Sequence, residues 1–132
     1  MTLVAGVDCS TQSTKVVVID SEDGRLMASG RQTNPVRRDG AISETDPEEW
    51  WRLLADALAQ TGMASEIGAI SIAAQQLGLV TLDAAKRPIR PAILWDDTRS
   101  ADAAERLVSQ LGGPEAWARS VGTQPMAGLT AC

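Results

Sequence analysis

Histidine, tyrosine and phenylalanine are absent from the 132 residues. Zinc sites built on His, and Ser–His or Cys–His nucleophile pairs, are thereby excluded within this sequence. General base work falls to carboxylates. Cysteine is scarce: Cys9 and Cys132 stand near opposite ends. Nothing else suggests a disulfide-stapled secreted domain, so reduced thiols in a cytoplasmic protein are the expectation. Basic residues are outnumbered, 12 Lys and Arg against 17 Asp and Glu, giving a net charge of −5 without any long basic run. That argues against nucleic acid or a membrane surface as partner, since both call for a positive footprint. No apolar stretch is long enough to span a bilayer. The N-terminus lacks the basic segment, apolar core and small-residue cleavage site of a secretory signal. What is present is an ordinary globular composition, 44% apolar and 22% charged, in a length suited to one domain.

The most informative stretch lies at the N-terminus. Residues 3–8 and 14–20 read as two strands, joined by Cys9-Ser10-Thr11-Gln12-Ser13. This places the Asp8 carboxylate at the end of a buried strand, beside a turn of short hydroxyl side chains. Successive N–H dipoles in such a turn form a concave anion site. Asp8 repels a phosphate, but it suits Mg²⁺ held through water, with the metal bridging to phosphate oxygens. The pattern reads as nucleotide phosphate binding on a hairpin. Asp, Ser and Thr also occur in ordinary hairpin turns, where they satisfy the backbone locally.

Further along, Ser21-Glu22-Asp23-Gly24 is a turn and residues 25–33 are a weaker third strand, making an antiparallel meander. Residues 34–45 read as irregular. Asp46-Pro47-Glu48-Glu49 signals a helix start, with Asp46 as N-cap, Pro47 in the first turn and Glu49 completing a capping box. Trp50, Trp51, Leu53, Leu54, Ala57 and Leu58 follow at helical spacing, and the Trp pair is read as core packing on the apolar face. Gly62 is the expected terminator. Residues 67–74 form a nearly all-apolar run that fits an interior strand covered on both faces. It ends at Gln75-Gln76-Leu77-Gly78, where amides just beyond a buried strand either cap it or meet a small ligand. Residues 79–82 and 89–95 read as a further strand pair. Asp96-Asp97-Thr98-Arg99 precedes a helix over 100–111, and Gly112-Gly113-Pro114 opens another to about Val121. The acidic pair favours a helix N-terminus. Between Leu94-Trp95 and Arg99 it is also a candidate pocket wall.

In this order the motifs are a strand ending in Asp8, Ser10-Thr11-x-Ser13-x-Lys15, Asp46-Pro47-Glu48-x-Trp50-Trp51, Gln75-Gln76-x-Gly78, and Arg90-Pro91-Ala92-Ile93-Leu94-Trp95-Asp96-Asp97-Thr98-Arg99. Together they resemble the N-terminal part of the FGGY carbohydrate kinases, across essentially the whole chain. The hairpin motif by itself is shared with the actin, hexokinase and heat-shock ATPase group. The resemblance implies an α/β fold: an actin-like, ribonuclease-H-like ATPase domain with a mixed sheet and flanking helices, here incomplete. Residues 1–132 would be the N-terminal part of the first, sugar-binding domain, with the second domain absent. It implies ATP and Mg²⁺ as cofactors and a small sugar as partner, with a homodimer allowed. Asp8 would position the metal and phosphates. Ser10, Thr11, Gln12, Ser13 and Lys15 would bind phosphate. Gln75, Gln76, Leu77, Trp95, Asp96 and Arg99 would face the sugar. The implied reaction is transfer of the ATP γ-phosphoryl group to a primary hydroxyl of D-xylulose, giving D-xylulose 5-phosphate. Another ketose, a polyol, a sugar acid, or a non-catalytic nucleotide- or sugar-binding role are the alternatives. Two positions depart from the family pattern: Leu77 stands where His is typical and Asp96 where Asn is usual. No Gly-flanked Asp equivalent to the family's catalytic base precedes Cys132, so the chain is expected to be a fragment that does not phosphorylate sugars by itself.

Overall fold

The computed structural model describes residues 2–129. They form two compact units, one of residues up to 36 with 46–75, the other of residues 37–45 with those from 76 onward. Cys132, one of the two thiols, lies outside the described residues. Cys9 is a free, half-buried thiol.

The first unit grows from the N-terminal hairpin. Apolar residues alternate along β1 (Leu3–Cys9) and β2 (Ser13–Asp20), so one face of the pair is greasy. Their antiparallel register runs from Leu3 opposite Asp20 to Cys9 opposite Thr14. β3 (Leu26–Thr33) continues the meander, and β6 (Ile67–Ala74) pairs with β1 in parallel, giving the order β3-β2-β1-β6. Helix α1 (Pro47–Gln60) starts where expected: Asp46 accepts a hydrogen bond from the Glu48 N–H, and Pro47 occupies the first turn. The side chain of Glu49 does not close a capping box; it binds Arg52. α1 ends at Thr61, and Gly62 follows with φ of 66°. The helix lies over β2 and β3. Ala5, Val7 and Val16 of the sheet meet Ala57, with Leu54, Leu58 and Ile67 around them. Contact at β3 is close enough that a Cβ on Gly30 would lie 2.0 Å from the Ala57 carbonyl oxygen.

Two expectations need correction here. Trp51 is 72% exposed and lies outside the core. Neighbouring helical residues are turned about 100° from each other, so Trp50 and Trp51 cannot share one narrow apolar stripe. β6 was expected to be covered on both faces, yet it sits at the sheet edge with Ile70 49% and Ile72 54% exposed. Its only strand partner among the described residues is β1, and α1 lies over β2 and β3 rather than over β6.

The second unit holds a small sheet of β4 (Arg37–Asp39), β5 (Ile42–Thr45) and β7 (Ala92–Ile93), in the order β4-β5-β7. Two of these strands fall in the segment read as irregular. They are three and four residues long and highly polar, so no period-2 pattern marks them. The strand pair expected over 79–82 and 89–95 is reduced to bridges, Leu79 with Ile93 and Leu82 with Pro88, beside the two residues of β7. Pro88 and Pro91 have no N–H for a ladder, which limits regular pairing there. α2 (Ala101–Gln110) and α3 (Pro114–Val121) follow as expected, and the Trp117 indole donates to the Leu107 carbonyl at 3.0 Å. Among the described residues no helix is long and apolar enough to cross a membrane.

Candidate active site

In the first unit the turn between β1 and β2 is held by its own short side chains. The Ser10 N–H and hydroxyl both donate to the Ser13 carbonyl, at 3.0 and 2.9 Å. Thr11 donates to the Gln75 Oε1 at 2.9 Å, and the Gln75 N–H donates to the Cys9 carbonyl at 2.9 Å. Gln75, expected to face a sugar, thus has its amide oxygen on the turn. Gln12 lies at the tip, its carbonyl accepting from the Asn34 N–H at 2.9 Å. Ser13 opens β2 and is 2% exposed, so it supplies its carbonyl to the turn while its side chain faces inward.

Asp8 and Lys15 stand opposite each other in the register, and Lys15 Nζ is 3.0 Å from Asp8 Oδ2. Both side chains are about half exposed, 51% and 46%. They line a hollow of about 370 Å³ with Gly6, Val17, Ser71 and Ala73. No group of three or more acidic, Cys or His residues suited to a metal occurs among the described residues. A single exposed carboxylate is nonetheless a fitting Mg²⁺ partner, since this ion keeps most of its waters and takes its other ligands from phosphates.

The second unit contains the other expected contacts. A cleft of about 540 Å³ is lined by Leu77, Leu79, Arg90, Ile93, Asp97 and Arg99 among others. Trp95 (48% exposed) and Asp96 are not in that lining, and neither is Gln76. Leu77 is 57% exposed with φ of 66°, a left-handed conformation costly for a branched side chain. Such strain is found at functional sites.

Beside the cleft lies an ionic cluster. Glu44, 5% exposed, accepts at Oε1 from Arg90 (2.7 Å) and Arg99 (2.8 Å), and at Oε2 from Arg37 (3.4 Å). Asp97, 3% exposed, accepts from Arg99 Nε at 3.1 and 3.0 Å and from the Ser43 N–H at 2.9 Å. The Arg99 hydrogen bond holds the Glu44 carboxyl below its usual range, against the opposing effect of burial, with Arg90 assisting. At Asp97 burial pushes upward, but Arg99 and the Ser43 N–H outweigh it, so this carboxyl also titrates low. At Asp96 burial is likewise outweighed by the Ser43 hydroxyl and by Arg38, whose Nη2 is 3.1 Å away. Arg99 therefore reaches the cleft wall with most of its guanidinium already engaged. Glu44 and Asn34, which organise these two sites, are not marked by any sequence motif. The one available signal is Asn34-Pro35 after a strand, an ordinary turn dipeptide.

Comparison with known proteins bears on the family. Residues 3–132 match the N-terminal domain of the FGGY family of carbohydrate kinases. The chain belongs to the FGGY carbohydrate kinases. Among curated members, a xylulose kinase of Streptomyces coelicolor is 51% identical over 129 residues, covering 97% of this chain and 27% of the relative. A xylulose kinase of Arthrobacter is 52% identical over 101 residues, covering 76% of this chain and all of the relative. Among solved structures, the xylulose kinase of Bifidobacterium adolescentis superposes with a TM-score of 0.82 at 37% identity, over 97% of this chain and 27% of that one. A glycerol kinase of Plasmodium falciparum, solved with ADP, superposes at 0.65 with 25% identity, over 85% and 23%. The chain thus spans about 27% of the length of the Streptomyces relative. The expected mixed α/β fold of an FGGY N-terminal domain is what the structure has.

Proposed function

We propose that this FGGY chain is the sugar-binding N-terminal part of an ATP-dependent kinase that converts D-xylulose to D-xylulose 5-phosphate. The observation that carries the reading is the Asp8–Lys15 pair, at 3.0 Å, set at the mouth of a hydroxyl-rich turn. Phosphoryl transfer calls mainly for positioning and charge compensation. Lys15 and the N–H groups of the turn other than that of Ser10, which donates to the Ser13 carbonyl, would face phosphate oxygens. Asp8 would hold Mg²⁺ through water, and the ion would neutralise charge developing on those oxygens. Leu77 and Trp95 would contact sugar carbons, and Gln76 and Asp96 its hydroxyls. The base that deprotonates the primary hydroxyl is not assigned to any residue here, so residues 1–132 alone are expected to be inactive.

Leu77 favours a second reading, a kinase for another ketose, a polyol or a sugar acid. It offers no hydrogen bond where xylulose-specific members resemble one another in carrying His, and losing such a bond shifts specificity strongly.

ADP release by the full-length gene product against ketoses, polyols and sugar acids tests both. A preference for D-xylulose supports the first reading, and a preference elsewhere supports the second. Asp8→Asn should lower turnover by about a hundredfold with the fold intact, as expected for a metal ligand acting through water. Near-normal turnover in that variant would refute the role of Asp8.

A further inference from the structure

Asn34 has no part in the reading above, yet it is hydrogen-bonded at both ends of its side-chain amide beside the phosphate turn. It follows β3 directly and is only 5% exposed. Three hydrogen bonds fix it. Its main-chain N–H donates to the Gln12 carbonyl at 2.9 Å. Its side-chain Nδ2 donates to the Ser10 carbonyl. Its Oδ1 accepts from the buried Thr14 hydroxyl at 3.0 Å. The amide orientation follows from chemistry: the Ser10 carbonyl only accepts, so nitrogen must face it.

These bonds bear on what the turn can hold. A concave anion site works when N–H groups point inward and carbonyl oxygens point elsewhere. A carbonyl turned toward a phosphate would repel it. Asn34 engages the carbonyls of Ser10 and Gln12, and Ser10 itself engages that of Ser13. Three carbonyls between Ser10 and Ser13 are thus committed to donors within the protein. Asn34 secures two of them and, through Thr14, anchors the start of β2.

We propose that Asn34 is the positioning residue of the phosphate turn: it ties the Ser10 and Gln12 carbonyls back, so that the turn presents N–H groups to the phosphates of a bound nucleotide. The inference rests on the kinase reading and adds a residue to it. Asn34 touches no substrate; it acts through the backbone of residues 10–14.

The test uses the full-length gene product with Asn34→Asp and Asn34→Ala. Three readouts are taken: calorimetric titration with MgATP, steady-state KM for ATP and for D-xylulose, and thermal unfolding. Asn34→Asp keeps size, the main-chain bond and the acceptor for Thr14, and places an oxygen against the Ser10 carbonyl. Asn34→Ala removes both side-chain bonds without adding charge. Both variants should bind MgATP about tenfold more weakly and show a KM for ATP raised by about the same factor, while the KM for sugar stays within about twofold. Equal weakening toward nucleotide and sugar, in step with a lowered melting temperature, would make Asn34 a structural residue only and overturn the proposal. Unchanged MgATP binding in both variants would overturn it as well, while leaving the kinase reading in place. A wild-type protein that binds no nucleotide would overturn the kinase reading and this inference together. The titration needs no sugar, so it decides the matter even where the substrate proves to be another polyol.

Discussion

Glu44→Gln is the most demanding test of how the second unit is built. Glu44 is buried, and its two oxygens serve three guanidinium groups, Arg90, Arg99 and Arg37. Gln keeps the size but loses the charge, and its NH₂ must face one of the arginines. Removing one charge from a buried pair costs about 3–5 kcal/mol. Here the arginine side chains retain exposure of 33%, 43% and 62% for Arg99, Arg90 and Arg37. Water partly solvates them once the carboxylate is gone, so the lower end, about 3 kcal/mol, applies. Hydrogen exchange reads this locally. The Ser43 N–H binds Asp97, and the Leu94 N–H binds the Ser43 carbonyl, both beside Glu44. A loss of about 3 kcal/mol should speed exchange at these two amides by about a hundredfold near neutral pH. The pH dependence gives a second check. The Glu44 pKa is depressed from its usual 4.5 in the folded state. Its stabilisation is then fully present above 4.5 and is lost as pH falls through the lower folded value. The variant carries no such titration, so the ratio of variant to wild-type exchange rates should be level from about pH 7 to 5 and shrink in stronger acid. Exchange at Ser43 and Leu94 within about threefold of wild type would refute the reasoning. So would a ratio that persists undiminished under strong acid.

Two further outcomes follow from close geometry. Gly30→Ala puts a Cβ 2.0 Å from the Ala57 carbonyl oxygen, a backbone atom that cannot rotate away. α1 must shift, and thermal or urea unfolding should show a loss of about 3 kcal/mol; wild-type stability would show that the contact is slack. Leu77→His, at a position 57% exposed with φ of 66°, should lower the KM for D-xylulose by about tenfold in the gene product by restoring a hydrogen-bonding group. No gain would place the sugar specificity with another ketose, polyol or sugar acid.

The parts of this fold that the sequence discloses are those whose causes are local. β1, β2 and α1 carry their own periodicity, and Asp46-Pro47 marks the start of the helix within a residue. The missed parts have distant causes. β5 is too short and polar to show alternation and exists because Glu44 and Thr45 pair with Ile93 and Ala92. The apolar run of β6 reads the same whether a neighbour covers it or not, so its exposure at the edge was not legible. Asn34 and Glu44 were missed for the same reason. Their partners lie 24 residues away at Ser10 and 55 residues away at Arg99. A polar residue in an irregular segment gives no hint of such a partner.

The same contrast bears on which wall residues are left to meet a ligand. The family resemblance implies a sugar contact at Arg99. In the folded chain its Nε and Nη2 are taken by Asp97 and Glu44. Those bonds are charge-assisted, and a neutral hydroxyl offers less than either carboxylate. A neutral ligand gains little by displacing them, and the cluster acts as a brace between β5 and the segment ahead of α2. Leu77 differs: it lines the cleft, is 57% exposed and carries apolar surface. Burial of such faces is favourable in proportion to the area removed from water. These competing energies assign the charged residues of the motif to bracing the wall.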